Sequence, residues 1–295
     1  WLCLFFSPLL FNYFIFSPNL FGDQFVYAAE IMSLKTTGES YEHTQASGSL
    51  LLGSNAINPV TFTAKILGII PARGGSKGIP RKNIKSLNGK PLIWYTHNDA
   101  INSKMLHRTI VSTEDNEIKT ICLNYKMDVP FDRPKSLATD RTPTIDVVRH
   151  SLEQMESIGE NYDAVCLLQP TCPLRGPQLI DKAITQYYIA IVDSLISVRK
   201  VPSKYNPHWV FEPNDEGLLK IVTGENEIIS RRQDLPDAYI RDGAIYITST
   251  KVIKEQRSLY GESISYFEHN YNNHINIDTL EDWEKAEQLI RSAAN

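Results

Sequence analysis

Basic residues and glycines share one short stretch of the chain, the loop 69–83 with the sequence IIPARGGSKGIPRKN. Glycines let backbone N–H groups come close to a ligand, and basic side chains supply charge for an anion. Four basic side chains lie here: Arg73, Lys77, Arg81 and Lys82. The whole chain has a net charge of −4, yet no Asp or Glu occurs between positions 43 and 98. This local excess of positive charge predicts a polyphosphate site.

Two common phosphate-binding motifs do not fit this loop. A Walker loop needs Gly-Lys followed by Ser or Thr, but here Ser76 and Lys77 precede Gly78. A dinucleotide fingerprint needs GxGxxG, which the run GGSKG does not match. The loop therefore favours phosphate binding without naming the phosphate, and a solvated basic turn is the alternative.

Composition narrows the class of protein further. The 295 residues are 42% hydrophobic and 22% charged, which is typical of a globular protein. A pI near 6.0 argues against nucleic acid or an anionic membrane as partner, since both need a dominant positive field. The four cysteines form no CxxC pair, so we expect reduced, buried thiols and a cytoplasmic location.

The first 62 residues differ from the rest of the chain. Residues 1–21 are apolar and aromatic but contain Pro8 and Pro18, and no Lys or Arg precedes Lys35. We interpret this stretch as an upstream or mis-started segment, with Met32 as a candidate start and a membrane anchor as the alternative. Residues 33–62 are rich in Ser, Thr, Gly and Asn, which is typical of a flexible tail. The folded unit is expected to span residues 63–295.

Within that unit, short apolar runs alternate with helical patterns. Strands are predicted at Ile66–Ile70, Thr109–Ser112, Ala164–Leu168 and Gly243–Thr248, and helices at Leu92–Ile101, Asn116–Asn124 and Ile145–Met155. This alternation predicts an α/β fold with a doubly wound, mostly parallel sheet buried on both faces. Such folds bind ligands at the carboxyl ends of the strands, where the basic loop begins.

Two later regions complete the organisation. Residues 201–239 contain four prolines and many charges without a helical or strand period, so we interpret them as an arm inserted between core strands. Residues 275–278 (INID) alternate apolar and polar residues like a strand end. Thr279 to Asp282 then match a capping box. One apolar face is predicted for the helix that follows: Leu280, Trp283, Ala286 and Ile290.

Several motifs in a fixed order resemble those of the acylneuraminate cytidylyltransferases, the CMP-N-acetylneuraminic acid synthetase family. They are the basic loop, residues 133–140 (RPKSLATD), 167–175 (LLQPTCPLR), 243–247 (GAIYI) and 277–279 (IDT). The resemblance extends from about Lys65 to Ile290. The related 3-deoxy-manno-octulosonate enzymes carry a different basic loop, so the chain resembles the sialic acid branch more.

The resemblance implies transfer of CMP from CTP to the anomeric hydroxyl of a sialic-acid-like, nine-carbon acidic sugar, with release of pyrophosphate and dependence on Mg²⁺. It also implies a nucleotide-diphospho-sugar transferase-like, Rossmann-like fold and a homodimer formed through the arm at residues 201–239. The nucleotide contacts implied are Arg73, Gly75, Ser76, Lys77, Lys82, Asn83, Arg133 and Thr144. The sugar contacts implied are Gln169, Arg232 and Tyr246, with Arg241 as a weaker candidate.

Arg73, Lys77 and Asp278 are the catalytic residues that the resemblance implies, and Asp278 and Asn276 are the metal ligands. The local sequence leaves plainer roles open, because Asp278 also fits a helix cap and Tyr246 also fits a core position. Arg133 also fits a surface position, and Gln169 a strand-capping amide.

Several positions depart from the family pattern: Cys172 replaces a more usual serine, and Ile240-Arg241 shifts an expected arginine. Asn276 stands where close relatives have an aspartate, and Asp242 stands where an asparagine is common. Losing one carboxylate favours a single Mg²⁺ over two.

Two alternatives stay open. The residues near Gln169, Tyr246 and the arm do not fix the acceptor, so a cytidylyltransferase for legionaminic or pseudaminic acid is one. Asn276 motivates the other, a catalytically silent nucleotide-binding homologue.

Overall fold

The computed structural model describes residues 64–176, 178–269 and 273–294. The expectations for residues 1–62 lie outside this part of the chain. Ten strands are described: β1 (Ile66–Pro71), β2 (Ser86–Leu87), β3 (Lys90–Pro91), β4 (Arg108–Ser112), β5 (Ala164–Leu167), β6 (Ser194–Lys200), β7 (Phe211–Pro213), β8 (Leu219–Ile221), β9 (Tyr239–Ser249) and β10 (Ile264–Glu268). Six α-helices accompany them: α1 (Leu92–Ile101), α2 (Asn116–Asn124), α3 (Thr144–Ser157), α4 (Leu179–Ala190), α5 (Thr250–Glu255) and α6 (Leu280–Ala294).

The centre of the fold is a six-stranded sheet in the order β10-β6-β9-β5-β1-β4. The β1–β4, β1–β5 and β10–β6 pairs are parallel. The apolar run Ile66–Ile70 forms most of β1 and is fully buried, as a strand covered on both faces requires. The predicted α/β fold with a mostly parallel sheet is confirmed, and the predicted bounds of α1 and α2 are those observed.

One strand runs against the others. β9 pairs antiparallel with both β5 and β6, so the sheet is mixed. The connection between β6 and β9 explains this direction. β6 ends at Lys200, and the arm begins and ends at that same edge of the sheet, so β9 runs opposite to β6. β9 also begins at Tyr239, four residues earlier than the predicted strand.

The arm lies between β6 and β9 in sequence, as expected. It contains short 3-10 turns and the antiparallel β7–β8 pair. Several large apolar side chains on this pair and beside it are exposed: Val210, Phe211, Leu218, Leu219 and Val222. The described part of this chain leaves these apolar side chains exposed to solvent.

The C-terminal elements differ from the prediction in two details. Residues 275–278 form no strand, although Ile275 and Ile277 are buried while Asn276 and Asp278 are exposed. Ile277 attaches the segment to the fold: its N–H donates to Thr171 O and its carbonyl accepts from Lys82. Among the described residues, no strand forms a ladder with it.

Helix α6 begins with the predicted capping box. The carboxylate of Asp282 accepts hydrogen bonds from the backbone N–H and the hydroxyl of Thr279. Trp283 and Ala286 pack against Ile79 and Leu92. Leu280, however, is 59% exposed, because the helix docks only after its first turn.

Within the described residues, every helix falls short of the length and apolar character needed to cross a bilayer. Cys122, Cys166 and Cys172 are free and buried, as expected. Burial raises the pKa of the Cys166 thiol to about 12 and that of Cys172 to about 11. These thiols are therefore not nucleophiles near neutral pH.

Candidate active site

The basic loop lies at the carboxyl edge of the sheet, where it follows β1. The Ala72 N–H donates to Ser112 O at the end of β4, which fixes the start of the loop. Further along, a Cβ on Gly78 would lie 2.4 Å from the backbone oxygen of Asp278. Only glycine permits this approach, so the loop packs directly on the turn 276–278, about 200 residues away in the chain.

Lys82 makes the charged link between the loop and that turn. Its ammonium donates to Ile277 O at 2.7 Å and lies 3.1 Å from Asp278 Oδ1. The Lys82 side chain is 13% exposed, whereas that of Asp278 is 65% exposed. The carboxylate of Asp278 is therefore accessible to a ligand, and the two residues lie together as the resemblance implies. Asn83 braces the loop instead, since its side-chain amide donates to Arg73 O.

Arg73 and Lys77 converge on one carboxylate, that of Asp140. Arg73 Nη1 lies 3.0 Å from one oxygen and Lys77 Nζ lies 3.0 Å from the other. These hydrogen bonds and charges, with Lys77 the larger contributor, hold the pKa of Asp140 below its usual value. The pair thus binds an anion in the structure, and Asp140 is a site residue to which the sequence analysis gave no role. Its place in the motif 133–140 was the available signal.

Arg81 has a different function from the other loop cations. It has a left-handed backbone (φ 56°), and its guanidinium donates to both oxygens of Asp115 at 2.6 and 2.9 Å. These hydrogen bonds lower the pKa of Asp115 to about 2. The Arg81 charge is therefore neutralised within the fold. The charge of Arg81, which counted towards the predicted polyphosphate site, therefore stabilises the fold instead.

Arg133 acts on the loop through Glu114. Its side chain is 3% exposed and forms an ion pair with Glu114. The other oxygen of Glu114 accepts a hydrogen bond from Gly74 N at 2.7 Å. Arg133 is therefore buried, and its interpretation as a surface residue is wrong. It pairs with the carboxylate of Glu114, which in turn holds the backbone of the loop at Gly74.

A cavity of about 310 Å³ opens at the end of β5, between β9 and the start of α3. Four of the residues singled out in the sequence line it: Thr144, Gln169, Arg241 and Tyr246. Tyr246 is only 6% exposed, and burial raises its pKa to about 12. It is thus both a core residue of the strand and a protonated hydroxyl in the cavity wall. Arg241 donates to the hydroxyl of Tyr260, which also lines the cavity.

Arg232 is not in this cavity. It lies on the arm, where its Nε donates to the hydroxyl of Ser203 at 3.0 Å. Within one chain, the structure therefore brings Arg241 to the candidate sugar site and leaves Arg232 outside it.

Gly243 connects the cavity to the turn 276–278. It has a positive φ of 80°, and a Cβ there would lie 3.1 Å from Gln169 Oε1 and 4.0 Å from Asn276 Oδ1. Asn276 in turn donates its amide to Asp278 Oδ2 at 2.9 Å. Gln169 and Asn276 therefore both approach Gly243, and Asn276 links that position to Asp278, although β5 and the turn are far apart in sequence.

One buried guanidinium supports this corner of the site. Arg175 is 1% exposed and donates to the backbone oxygens of Gln169 and Ala244 and to the hydroxyl of Thr96. It fixes the ends of β5 and β9 relative to α1. Arg175 is the last residue of the motif 167–175, and the motif alone assigns it no role.

The mixed α/β sheet, the basic loop after its first strand and the acidic turn packed on that loop together define a nucleotidyltransferase. Residues 67–294 match the family model described as cytidylyltransferase, and the chain belongs to that family. The family predicted from the ordered motifs is thereby confirmed.

Three curated relatives span the sugar chemistry of this family. The chain is 34% identical to the pseudaminic acid cytidylyltransferase of Campylobacter jejuni, over 77% of this chain and 97% of the relative. It is also 34% identical to the CMP-N,N'-diacetyllegionaminic acid synthase of Legionella pneumophila, over 77% and 96%. It is 33% identical to the N-acylneuraminate cytidylyltransferase of Streptococcus agalactiae, over 74% of this chain and 52% of that relative.

The fold also matches a solved structure, a CMP:2-keto-3-deoxy-manno-octonic acid synthetase complexed with CTP. The TM-score is 0.60 at 17% identity, and the match covers 78% of this chain and all of the other. At this identity the likeness establishes the nucleotidyltransferase fold.

Proposed function

We propose that the protein transfers CMP from CTP to the anomeric hydroxyl of a sialic-acid-like nonulosonic acid and releases pyrophosphate. The observation that carries the proposal is the convergence of Lys82, Gly78 and Asp278, which joins a cationic loop to an exposed carboxylate beside a sugar-sized cavity. Relatives named for three different nonulosonic acids support the substrate class.

In this reaction the sugar hydroxyl attacks the α-phosphorus of CTP in line with the departing pyrophosphate. The protein's contribution is positioning and neutralisation of charge. Arg73 and Lys77 already hold the anionic Asp140, and we assign them to the triphosphate. Gly75 and Ser76 supply the loop backbone between them, and Thr144 faces the site from the start of α3.

The residues present fit a Mg²⁺ ion. Asp278 offers an exposed carboxylate, the hard oxygen ligand that Mg²⁺ prefers. Asn276 donates its amide N–H to Asp278 Oδ2 in the structure, and a flip of that amide would present its side-chain oxygen to the ion instead. When bound, the ion would neutralise phosphate charge. Lys82 remains at 3.1 Å from Asp278 Oδ1 and holds that carboxylate at the loop.

The acceptor sugar is assigned to the cavity at the end of β5. Gln169 and the protonated hydroxyl of Tyr246 offer neutral hydrogen-bonding groups for the hydroxyl and acylamino substituents. The guanidinium of Arg241 suits the sugar's carboxylate, because its planar fork binds both oxygens.

The test is pyrophosphate release from CTP by the purified protein with N-acetylneuraminate, legionaminate and pseudaminate in parallel, with and without Mg²⁺. We expect Mg²⁺-dependent release with one of the three sugars and its loss in Lys77→Ala and Asp278→Ala. Glu216→Ala, at an exposed turn of the arm, is the control and should retain activity. CTP binding with no release from any of the sugars would instead indicate a catalytically silent homologue.

The arm supports a homodimer as part of the same proposal. Its exposed apolar side chains cluster on and beside the β7–β8 pair, and a second copy of the chain would cover them. A cytoplasmic location also belongs to the proposal, supported by the three free, buried thiols. Subcellular fractionation would check it.

A further inference from the structure

A second cluster of ligating side chains lies apart from the loop, behind Gly243. Asp242 on β9, His269 just after β10 and His274 before the turn each offer one ligand atom, and these atoms lie within 4.8 Å of one another. The three side chains are 1%, 2% and 7% exposed. The proposed reaction uses none of them.

The two carboxylate oxygens of Asp242 have different partners. Oδ1 accepts from the hydroxyl of Ser197 and from Ala244 N, at 2.5 and 2.9 Å. Oδ2 faces the imidazoles, at 2.6 Å from His269 Nδ1 and 4.0 Å from His274 Nδ1. Such donors behind one oxygen are the outer-shell support that orients a carboxylate ligand.

His274 supplies the independent sign of a ligand. Its Nδ1 is buried and has no hydrogen-bond partner among the described residues, yet it lies towards the carboxylate of Asp242. A buried polar atom without a partner destabilises the fold, because its hydration is lost and not replaced. A cation between the three side chains would satisfy it.

We propose that Asp242, His269 and His274 form a binding site for a transition-metal dication of the Zn²⁺ class. Two imidazoles and one carboxylate are ligands that suit Zn²⁺, Co²⁺ or Fe²⁺, whereas Mg²⁺ prefers oxygen ligands alone. On binding, the cation replaces the hydrogen bond between His269 Nδ1 and Asp242 Oδ2. A neutral imidazole then carries its proton on Nε2, and an imidazolium releases one proton to solvent. The site is therefore chemically distinct from the one at Asp278.

The bound cation would join three segments of the chain. Asp242 precedes Gly243, which packs on Gln169, and His274 opens the segment that carries Asn276 and Asp278. A cation here ties β9 to the turn and thereby stabilises the site from behind. Arg175 and Arg199 add positive charge near His274, so we expect weaker affinity than in a site free of cations.

The test uses the full chain, stripped of metal by a chelator and kept in excess Mg²⁺ so that oxygen-ligand sites are filled. Zn²⁺ is measured by equilibrium dialysis, and Co²⁺ by its visible absorption and by the paramagnetically shifted imidazole N–H signals in the proton NMR spectrum. We expect one Zn²⁺ per chain, intensified Co²⁺ bands, and shifted signals from two histidines. We also expect Zn²⁺ to raise the melting temperature.

Variants assign the site. His274→Ala and Asp242→Asn should weaken Zn²⁺ binding by about 100-fold or more, the upper end of the effect of losing an outer-shell partner. Asp278→Asn should retain the Zn²⁺. His208→Ala is the matched control, because His208 also faces a carboxylate, that of Glu225, but without a second histidine.

Results on the wild-type chain decide the proposal even if a variant fails to fold. No Zn²⁺ retained in excess Mg²⁺, or Co²⁺ spectra without shifted imidazole signals, would overturn it and leave a buried Asp–His pair. Zn²⁺ binding that disappears in Asp278→Asn but persists in His274→Ala would overturn it as well.

Discussion

Asp140 forms ion pairs with the two loop cations that we assign to the triphosphate. Arg73 and Lys77 each hold one of its oxygens, and the Lys77 side chain is 78% exposed. Exposed ion pairs are weak, so a ligand with more negative charge displaces the carboxylate readily. Before a nucleotide binds, the charges of Arg73 and Lys77 are therefore already neutralised by a carboxylate of the same chain.

Removing that anion should favour CTP. We expect Asp140→Asn to lower the KM for CTP about two- to five-fold, as loss of an exposed competing pair predicts, with kcat little changed. Steady-state kinetics with varied CTP measures this. A raised KM would mean that Asp140 positions the two cations and does not compete with the nucleotide.

Arg241 and Arg232 are the two candidates for binding the sugar carboxylate, and single substitutions distinguish them. Arg241→Ala should raise the KM for the acceptor sugar at least about tenfold, since charge-assisted hydrogen bonds to a carboxylate are lost. The KM for CTP should stay the same. Arg232→Ala is the matched control on the arm, and an equal effect there would favour a site completed by a neighbouring chain.

Among the elements, helix α2 does more than cross over between strands. Asp115 caps its start by accepting from Ile118 N, and the same carboxylate holds Arg81 of the loop. A Cβ on Gly74 would lie 2.3 Å from Asp115 Oδ2, so loop and helix end are packed without space between them. The helix thereby fixes the loop's shape.

This linkage predicts a pH dependence. The pKa of Asp115 falls from 3.8 to about 2 on folding, mainly through hydrogen bonding to Arg81. Its stabilising contribution is therefore complete above about pH 4 and is lost as pH falls towards 2, and it amounts to about 1 kcal/mol after allowance for solvent screening. Urea unfolding between pH 6 and pH 3 should show a steeper loss for wild type than for Asp115→Asn. Asp215→Asn, at an exposed position on the arm, should follow wild type; parallel curves for all three proteins would contradict the linkage.

For the molecule as a whole, the exposed apolar residues of the arm are the basis of the proposed homodimer. Leu218 and Leu219 are 62% and 70% exposed, and Phe211 on the paired strand β7 is 41% exposed. A homodimer formed through the arm would bury them and bring one chain's arm towards the neighbouring site.

Leu219→Glu should convert that dimer to a monomer, because a buried charge opposes association. Light scattering with sedimentation velocity measures the mass. Ile101→Glu is the matched control, since Ile101 is 61% exposed on α1, away from the arm. A wild-type monomer would contradict the proposal directly.

The sequence alone determined the class of fold, the bounds of α1 and α2, the capped start of α6 and the family. These depend on local periodicity, capping and ordered motifs, which a chain carries in one dimension. It also placed the basic loop at the correct edge of the sheet. It could not assign partners, because ion pairing depends on which distant side chains share a space.

The tertiary structure alone decided the partners. In the folded protein, Arg81 pairs with Asp115, Arg133 is buried against Glu114, and Leu280 is exposed. The fold also brought Arg241, and not Arg232, to the cavity, and it gathered Asp242, His269 and His274 behind Gly243. Each outcome follows from packing between segments far apart in sequence, where burial makes an unpaired charge costly and so selects the partner.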